Sequence, residues 1–266
     1  MRGRVKGSAL GAVLLGMLTG CGGADRGIDR GTEQGLSGEL LVGAAMSMYL
    51  VTHQVAQAFQ AQHPEVSIHF THAGSGALES QIVAGAPIDV FVPAAMHHMD
   101  NLEALGLLHS PGRPLLGNQV ALVVPSTSEL SLTSFEDLAT HELTWLGMGN
   151  PAFVPIGYFA HELLQYYGAE ALLTQAVLGN DTREVLQWVA QGVVDAGIVF
   201  YTDALSIEGV QVIATAPTHA HSPAVNPVGI VAGTANLTVA EAFVDFLFTP
   251  VAGELFTNAG FRLIHP

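Results

Sequence analysis

From Glu39 onward, short apolar runs alternate with stretches of helical period, and glycine, serine or proline marks most of the junctions. That order restricts the chain to an α/β architecture, because buried apolar runs need helices to cover them. Glu39 to Ala45 reads as a strand. Tyr49, Val51, Val55, Ala58 and Phe59 follow at the spacing of an amphipathic helix that closes near His63-Pro64. Val66 to Phe70 is a second strand, and Ala77 to Val83 a second helix ended by Gly85-Ala86-Pro87. Ile88 to Val92 is continuously apolar, as suits a parallel strand buried on both faces, and Met96 to Leu105 is a helix stopped by Gly106.

A second series begins with a strand from Gln119 to Val124, a short helix from Phe135 to Ala139, and a strand ending over Trp145 to Met148. Pro155 suits the first turn of a helix that runs to about Tyr167, with Gly168 at its C-terminal cap. Asp181 and Glu184 have the spacing of a capping box and predict a helix from Thr182 to Gly192. Strands follow over Ala196 to Tyr201, Val210 to Ala214 and Val225 to Ala232, then helices over Val239 to Phe248 and Pro250 to Asn258. Two βα series with a late return strand fit two lobes joined by crossing strands. Open sheets of this kind bind ligands beyond the carboxyl ends of their strands.

Ahead of this domain, Arg2, Arg4 and Lys6 precede an apolar run from Ala9 to Leu18 that ends in Leu-Thr-Gly-Cys at Cys21. The run is too short to span a bilayer and has the flanks of a secretory signal, so residues 1–20 are expected to be removed. Cys21 is the sole cysteine, which rules out an intrachain disulfide, and its setting resembles the lipobox of bacterial lipoproteins. Lipid on Cys21 would hold the protein at a membrane. After Cys21, the expected tether of residues 21–38 is mostly Gly, Asp, Arg, Glu, Gln and Ser, with Ala24, Thr32 and isolated Ile28 and Leu36.

The chain has 23 acidic residues against 8 Lys and Arg, a formal charge of −15. No basic patch is present to engage nucleic acid, and an anionic ligand would have to be held by local dipoles and not by long-range attraction. The βα turns can supply them. Ala45-Met46-Ser47, Gly74-Ser75-Gly76, Val154-Pro155-Ile156-Gly157 and Asn180-Asp181-Thr182 each precede or open a predicted helix, where N–H groups lack partners. Ser47, Ser75 and Thr182 add hydroxyls, and Gly74 and Gly76 would let backbone approach a ligand closely. Each of these is also an ordinary helix cap when taken singly.

In order along the chain, Gly43-Ala44-Ala45-Met46-Ser47, Ala73-Gly74-Ser75-Gly76-Ala77-Leu78, Gly85-Ala86-Pro87-Ile88-Asp89-Val90-Phe91, Leu116-Gly117-Asn118, Gly149-Asn150-Pro151 through Gly157, and Gly197-Ile198-Val199-Phe200 resemble the successive signatures of periplasmic molybdate-binding proteins. The resemblance covers nearly all of residues 39–265. It implies the type II periplasmic binding protein fold: two lobes, each a sheet flanked by helices, joined by two crossing strands. Lobe 1 would be residues 39–118 with 232–266, and lobe 2 residues 119–231 including the crossing strands.

The resemblance further implies that molybdate or tungstate is held by Ser47 and Ser75 through hydroxyl and amide, and by Ile156 and Thr182 through amides, with Met46 and Gly74 beside them. The family commonly has a tyrosine after Gly-Ile-Val; here Phe200 stands there, followed by Tyr201, and Thr182 is a candidate for the missing hydroxyl. A site made of donors suits a dianion and disfavours hydrogen phosphate, whose own proton would meet a donor. Also implied are an ABC importer's membrane permease as partner, a monomer, and a location outside the cytoplasm. Sulfate, thiosulfate or a small carboxylate is the alternative ligand, and a carboxylate would call for an arginine fork, for which Arg183 is the candidate. No catalytic residue or cofactor is expected: the 12 histidines are scattered, Asp89 suits a loop cap, and no nucleophile elbow or phosphate loop stands out.

Overall fold

The computed structural model describes residues 35–264. Strand β1 (Gly38–Ala45) is buried over its second half and leads through a 3-10 turn at Met46–Met48 into α1 (Tyr49–Gln62). Then come β2 (Val66–Ala73), α2 (Ser75–Val83), β3 (Val90–Val92), α3 (Met96–Ala104) and β4 (Arg113–Gly117). The second series is β5 (Val120–Pro125), β6 (Leu146–Gly149), α4 (Pro155–Tyr166), β7 (Ala176–Gly179), α5 (Thr182–Ala190) and β8 (Ala196–Phe200). It continues through the short α6 (Tyr201–Ala204), β9 (Val210–Thr215), β10 (Val225–Ile230), α7 (Leu237–Phe246), α8 (Pro250–Asn258) and β11 (Arg262–Leu263).

The strands form two sheets. One has the order β11-β4-β10-β3-β1-β2 and the other β7-β6-β8-β5-β9. In each, the parallel strands (β2, β1, β3 and β7, β6, β8) carry the βα turns, while antiparallel partners close the far side. Helices cover both faces, as the continuous burial of β3 and β8 requires. Leu78, Ile82, Phe91, Met99 and Leu102 seal α2 and α3 to the first sheet, and Val123, Val185, Leu186, Val189 and Val199 seal α5 to the second.

The chain crosses between sheets twice, after Gly117 and again between Thr215 and Val225. The crossings are bonded to each other, the Asn118 amide donating to Ala224 O at 2.8 Å. Asn118 also anchors the second sheet, since its Nδ2 donates to Thr202 Oγ1 at 3.0 Å. Strand β10, which the sequence reading counts in lobe 2, pairs with β3 and β4 in the first sheet, so the return to that sheet precedes Val225. Its apolar run would look the same in either sheet, so local pattern cannot assign it.

Several ends are set by chemistry legible in the sequence. Gly168 and Gly192 stand just past α4 and α5 with φ of 68° and 66°, a left-handed geometry that glycine adopts without strain. Asp181 caps α5, its Oδ1 accepting the Glu184 amide at 3.0 Å. The returning Glu184 carboxylate takes the Asn180 amide at 2.8 Å, one residue before the cap itself. Strand β8 ends at Phe200, and Tyr201 opens α6. The predicted strand to Tyr201 is therefore one residue too long. Gly38, expected in the tether, is the first residue of β1; the signal segment, Cys21 and the tether up to residue 34 lie outside the described residues.

Candidate functional site

Six strand-to-helix junctions meet at one small cavity between the two sheets. Its wall is made by Ala45, Met46 and Ser47 from the end of β1, Ala73, Gly74 and Ser75 from the start of α2, and Ala94 after β3. The second sheet supplies Val154 and Pro155 from the start of α4, Asp181 and Thr182 from the start of α5, and Phe200 from the end of β8. Six of the residues expected on sequence grounds, Met46, Ser47, Gly74, Ser75, Thr182 and Phe200, are thus brought together. Ile156 and Tyr201 do not form the wall.

The donors in this space can be counted. In α2 the Gly76 amide goes to Phe153 O and the Ala77 and Leu78 amides go to Gly74 O, which leaves the Ser75 amide without an acceptor among the described residues. In α4 Pro155 has no N–H, and the Gly157 and Tyr158 amides are taken by Val154 O, so the Ile156 amide is the one that start offers. In α5 the Asp181 side chain takes the Glu184 amide and leaves those of Thr182 and Arg183 without an acceptor among the described residues. Ile156 itself is off the cavity wall, with its side chain fully buried, and only its amide at the start of α4 is unclaimed.

The hydroxyls differ. Ser75 is completely buried and its Oγ accepts the Ala94 amide at 3.0 Å, which fixes the oxygen and leaves its proton to donate. Ser47 Oγ is buried with no hydrogen-bond partner among the described residues. Thr182 is buried on the wall, with the Asp203 carboxyl close by. Asp203 was not anticipated from the sequence. Burial, the dominant influence, raises its carboxyl to about 7; Asp181 adds to the rise, while Arg183 and Thr182 oppose it.

No Lys, Arg or His lines the cavity. The one carboxylate on the wall, Asp181, is engaged at its own helix cap. Three helix starts therefore supply the positive potential, as the acidic sequence demands. Arg183 lies elsewhere: its guanidinium sits over the Tyr49 ring, 4.7 Å from the centroid, and it lines a neighbouring cavity of about 540 Å³ with Asp203 and Asn258. We place the site in the smaller cavity because that is where the unclaimed donors converge. At about 10 Å³ it has room for roughly one water-sized group as it stands. Pockets for sugars, amino acids and drug-sized ligands run to hundreds of cubic ångströms.

Other residues weighed on sequence grounds have structural partners. Asp89 accepts the Leu41 amide at 2.8 Å and the Thr234 hydroxyl at 2.5 Å, tying β1 to the turn before α7. His98 is buried against Glu79, Nδ1 to Oε2 2.5 Å, and His219 and His221 pack on Tyr166 and Phe159. Among the described residues no group of three or more His, Cys, Asp or Glu is placed to hold a metal ion. Trp188 packs in the α5 cluster, whereas Trp145 and Tyr166 are about half exposed.

Two sheets flanked by helices, crossed twice by the chain and closing over a donor-lined cavity, make a solute receptor of the type II periplasmic binding protein fold. The chain belongs to the bacterial extracellular solute-binding protein family, whose pattern matches residues 40–262. That is a family of extracytoplasmic binding proteins and not of enzymes. The chain is 34% identical over 224 residues to YvgL of Bacillus subtilis, named as an ABC transporter substrate-binding lipoprotein, covering 84% of this chain and 85% of the relative. It is 33% identical over 234 residues to the molybdate-binding protein ModA of Escherichia coli, covering 85% and 90% respectively. Among solved structures, the periplasmic molybdate-binding protein of Azotobacter vinelandii superposes with a TM-score of 0.73 at 24% identity, over 85% of this chain and all of that one.

Proposed function

We propose that the protein captures molybdate or tungstate outside the cytoplasm and delivers it to the membrane permease of an ABC importer. The observation that carries this reading is the convergence on one 10 Å³ cavity of the Ser75, Ile156 and Thr182 starts and the unpartnered Ser47 hydroxyl. Those donors match a fully deprotonated tetrahedral dianion. A protonated oxyanion would turn its own proton toward amides that cannot accept it, leaving only the serine hydroxyls to receive it. The name of the Escherichia coli relative supports molybdate as the choice within that class. Phe200, on the wall, offers no phenol, so discrimination rests on cavity size and amide spacing.

Cys21 carries lipid in this reading, and the monomer is the working unit. A thermal-shift series tests the ligand: molybdate and tungstate at about 100 times Kd raise the unfolding midpoint by several degrees, and phosphate leaves it in place. A rise with phosphate as large as with molybdate would exclude the reading. For the anchor, the full-length protein partitions into detergent and its Cys21→Ala variant does not.

A further inference from the structure

Ser75 stands between two glycines that face the opposite lobe. The Gly76 amide donates to Phe153 O at 3.2 Å, and Phe153 lies in the loop between β6 and α4 of the second sheet. A Cβ on Gly76 would fall 2.7 Å from that oxygen, 3.0 Å from Phe153 Cβ and 3.2 Å from its Cα. A Cβ on Gly74 would fall 2.9 Å from Asn180 O, in the loop between β7 and α5. Both obstacles are backbone carbonyls of loops that open helices lining the cavity, so neither can swing aside as a flexible side chain would. Neither glycine needs a left-handed conformation, so the reason for glycine here is space.

We propose that Gly74 and Gly76 are positioning residues for lobe closure: they admit the Asn180 and Phe153 carbonyls of the second lobe, and the Gly76–Phe153 hydrogen bond latches the cavity around its ligand. This rests on the molybdate reading above and adds to it the residues that set how tightly the lobes shut. The sequence reading has these glycines making room for a ligand; the structure has them making room for the other lobe.

The idea separates two effects that ordinarily travel together. Gly76 is the second residue of α2, where alanine is the better helix former, so Gly76→Ala should leave the open, ligand-free protein no less stable. The same methyl blocks closure. The experiment measures molybdate affinity by calorimetry, and radius of gyration by small-angle scattering with and without molybdate, for the wild type, Gly76→Ala and Gly74→Ala. The expected result is a wild type that compacts on binding. Both variants should bind at least about tenfold more weakly and fail to compact, with the ligand-free unfolding midpoint of Gly76→Ala within about 2 °C of wild type. Variants that bind and compact like wild type would overturn the proposal, as would a Gly76→Ala protein destabilised without ligand. A wild type silent to molybdate would remove the ligand reading, and the latch with it.

Discussion

Ser47 and Ser75 look alike in the sequence and differ in the structure. Ser47 Oγ has no partner, so Ser47→Ala removes a buried hydroxyl that contributes nothing to the ligand-free fold. The expected outcome is unchanged or slightly raised stability by denaturant unfolding, and affinity for molybdate lower by about tenfold or more. Ser75→Ala strands the Ala94 amide that its Oγ receives, and should cost about 1–3 kcal/mol of stability as well as affinity. Thr182→Val removes the side-chain hydroxyl and keeps the amide at the start of α5; calorimetry should find affinity within about threefold of wild type. Asp203 itself predicts a pH signature. Its folded pKa, about 7, lies above its ordinary 3.8, so the contribution to stability is complete below 3.8 and is lost as pH rises through 7. His72 has the opposite slope, because burial first, then His53 and Arg183, lower its pKa from 6.5 to about 4; its contribution is present above 6.5 and lost as pH falls toward 4. Asp203→Asn removes the first slope, stabilising the protein by about 2 kcal/mol at pH 8 after allowance for the residue's partial exposure, with no gain at pH 3.5. Urea unfolding at the two pH values checks it.

At the level of elements, what was legible followed from strong local chemistry. The Asp181 cap, Pro155 in a first turn and the glycines after α4 and α5 act over three or four residues, and all four helix starts and ends stand within two residues of expectation. Strands β4, β7 and β11 were not legible. β4 begins Arg-Pro and has only Leu115 and Leu116 buried, β7 is four residues long, and β11 has two exposed residues. They exist because a neighbouring strand offers hydrogen bonds, a condition invisible to periodicity. The cap gives an element-scale prediction: Asp181→Ala should cost about 1 kcal/mol by loosening the first turn of α5. It should also weaken molybdate binding, since the Thr182 amide loses its fixed direction. An Asp181→Asn variant, which can still accept the Glu184 amide, should recover most of both.

For the whole molecule, the sequence pointed to two lobes but put one strand in the wrong one, because sheet membership is decided by partners far along the chain. Strand β10 is the example: it joins the first sheet by pairing with β3 and β4, well over a hundred residues earlier, and only the fold brings them together. The site shares that character. Its residues were legible as caps and small-residue turns, yet their common use appears only when two crossing segments, bonded through Asn118 and Ala224, set the helix starts face to face. Asp203 and the two lobe-facing glycines show what local reading missed: one carboxylate brought behind Thr182 by the turn into α6, and two close approaches between lobes.

In the proposed function an acidic protein binds a small dianion through helix starts and hydroxyls alone. Calorimetric titration of residues 35–266 with molybdate, sulfate and phosphate at matched ionic strength tests it most directly. The expected result is one molybdate per chain with Kd of about 1 μM or tighter, sulfate at least about tenfold weaker, phosphate silent, and the molybdate isotherm preserved in Arg183→Ala. Silence toward molybdate, or binding of a carboxylate that disappears with Arg183→Ala, would contradict it.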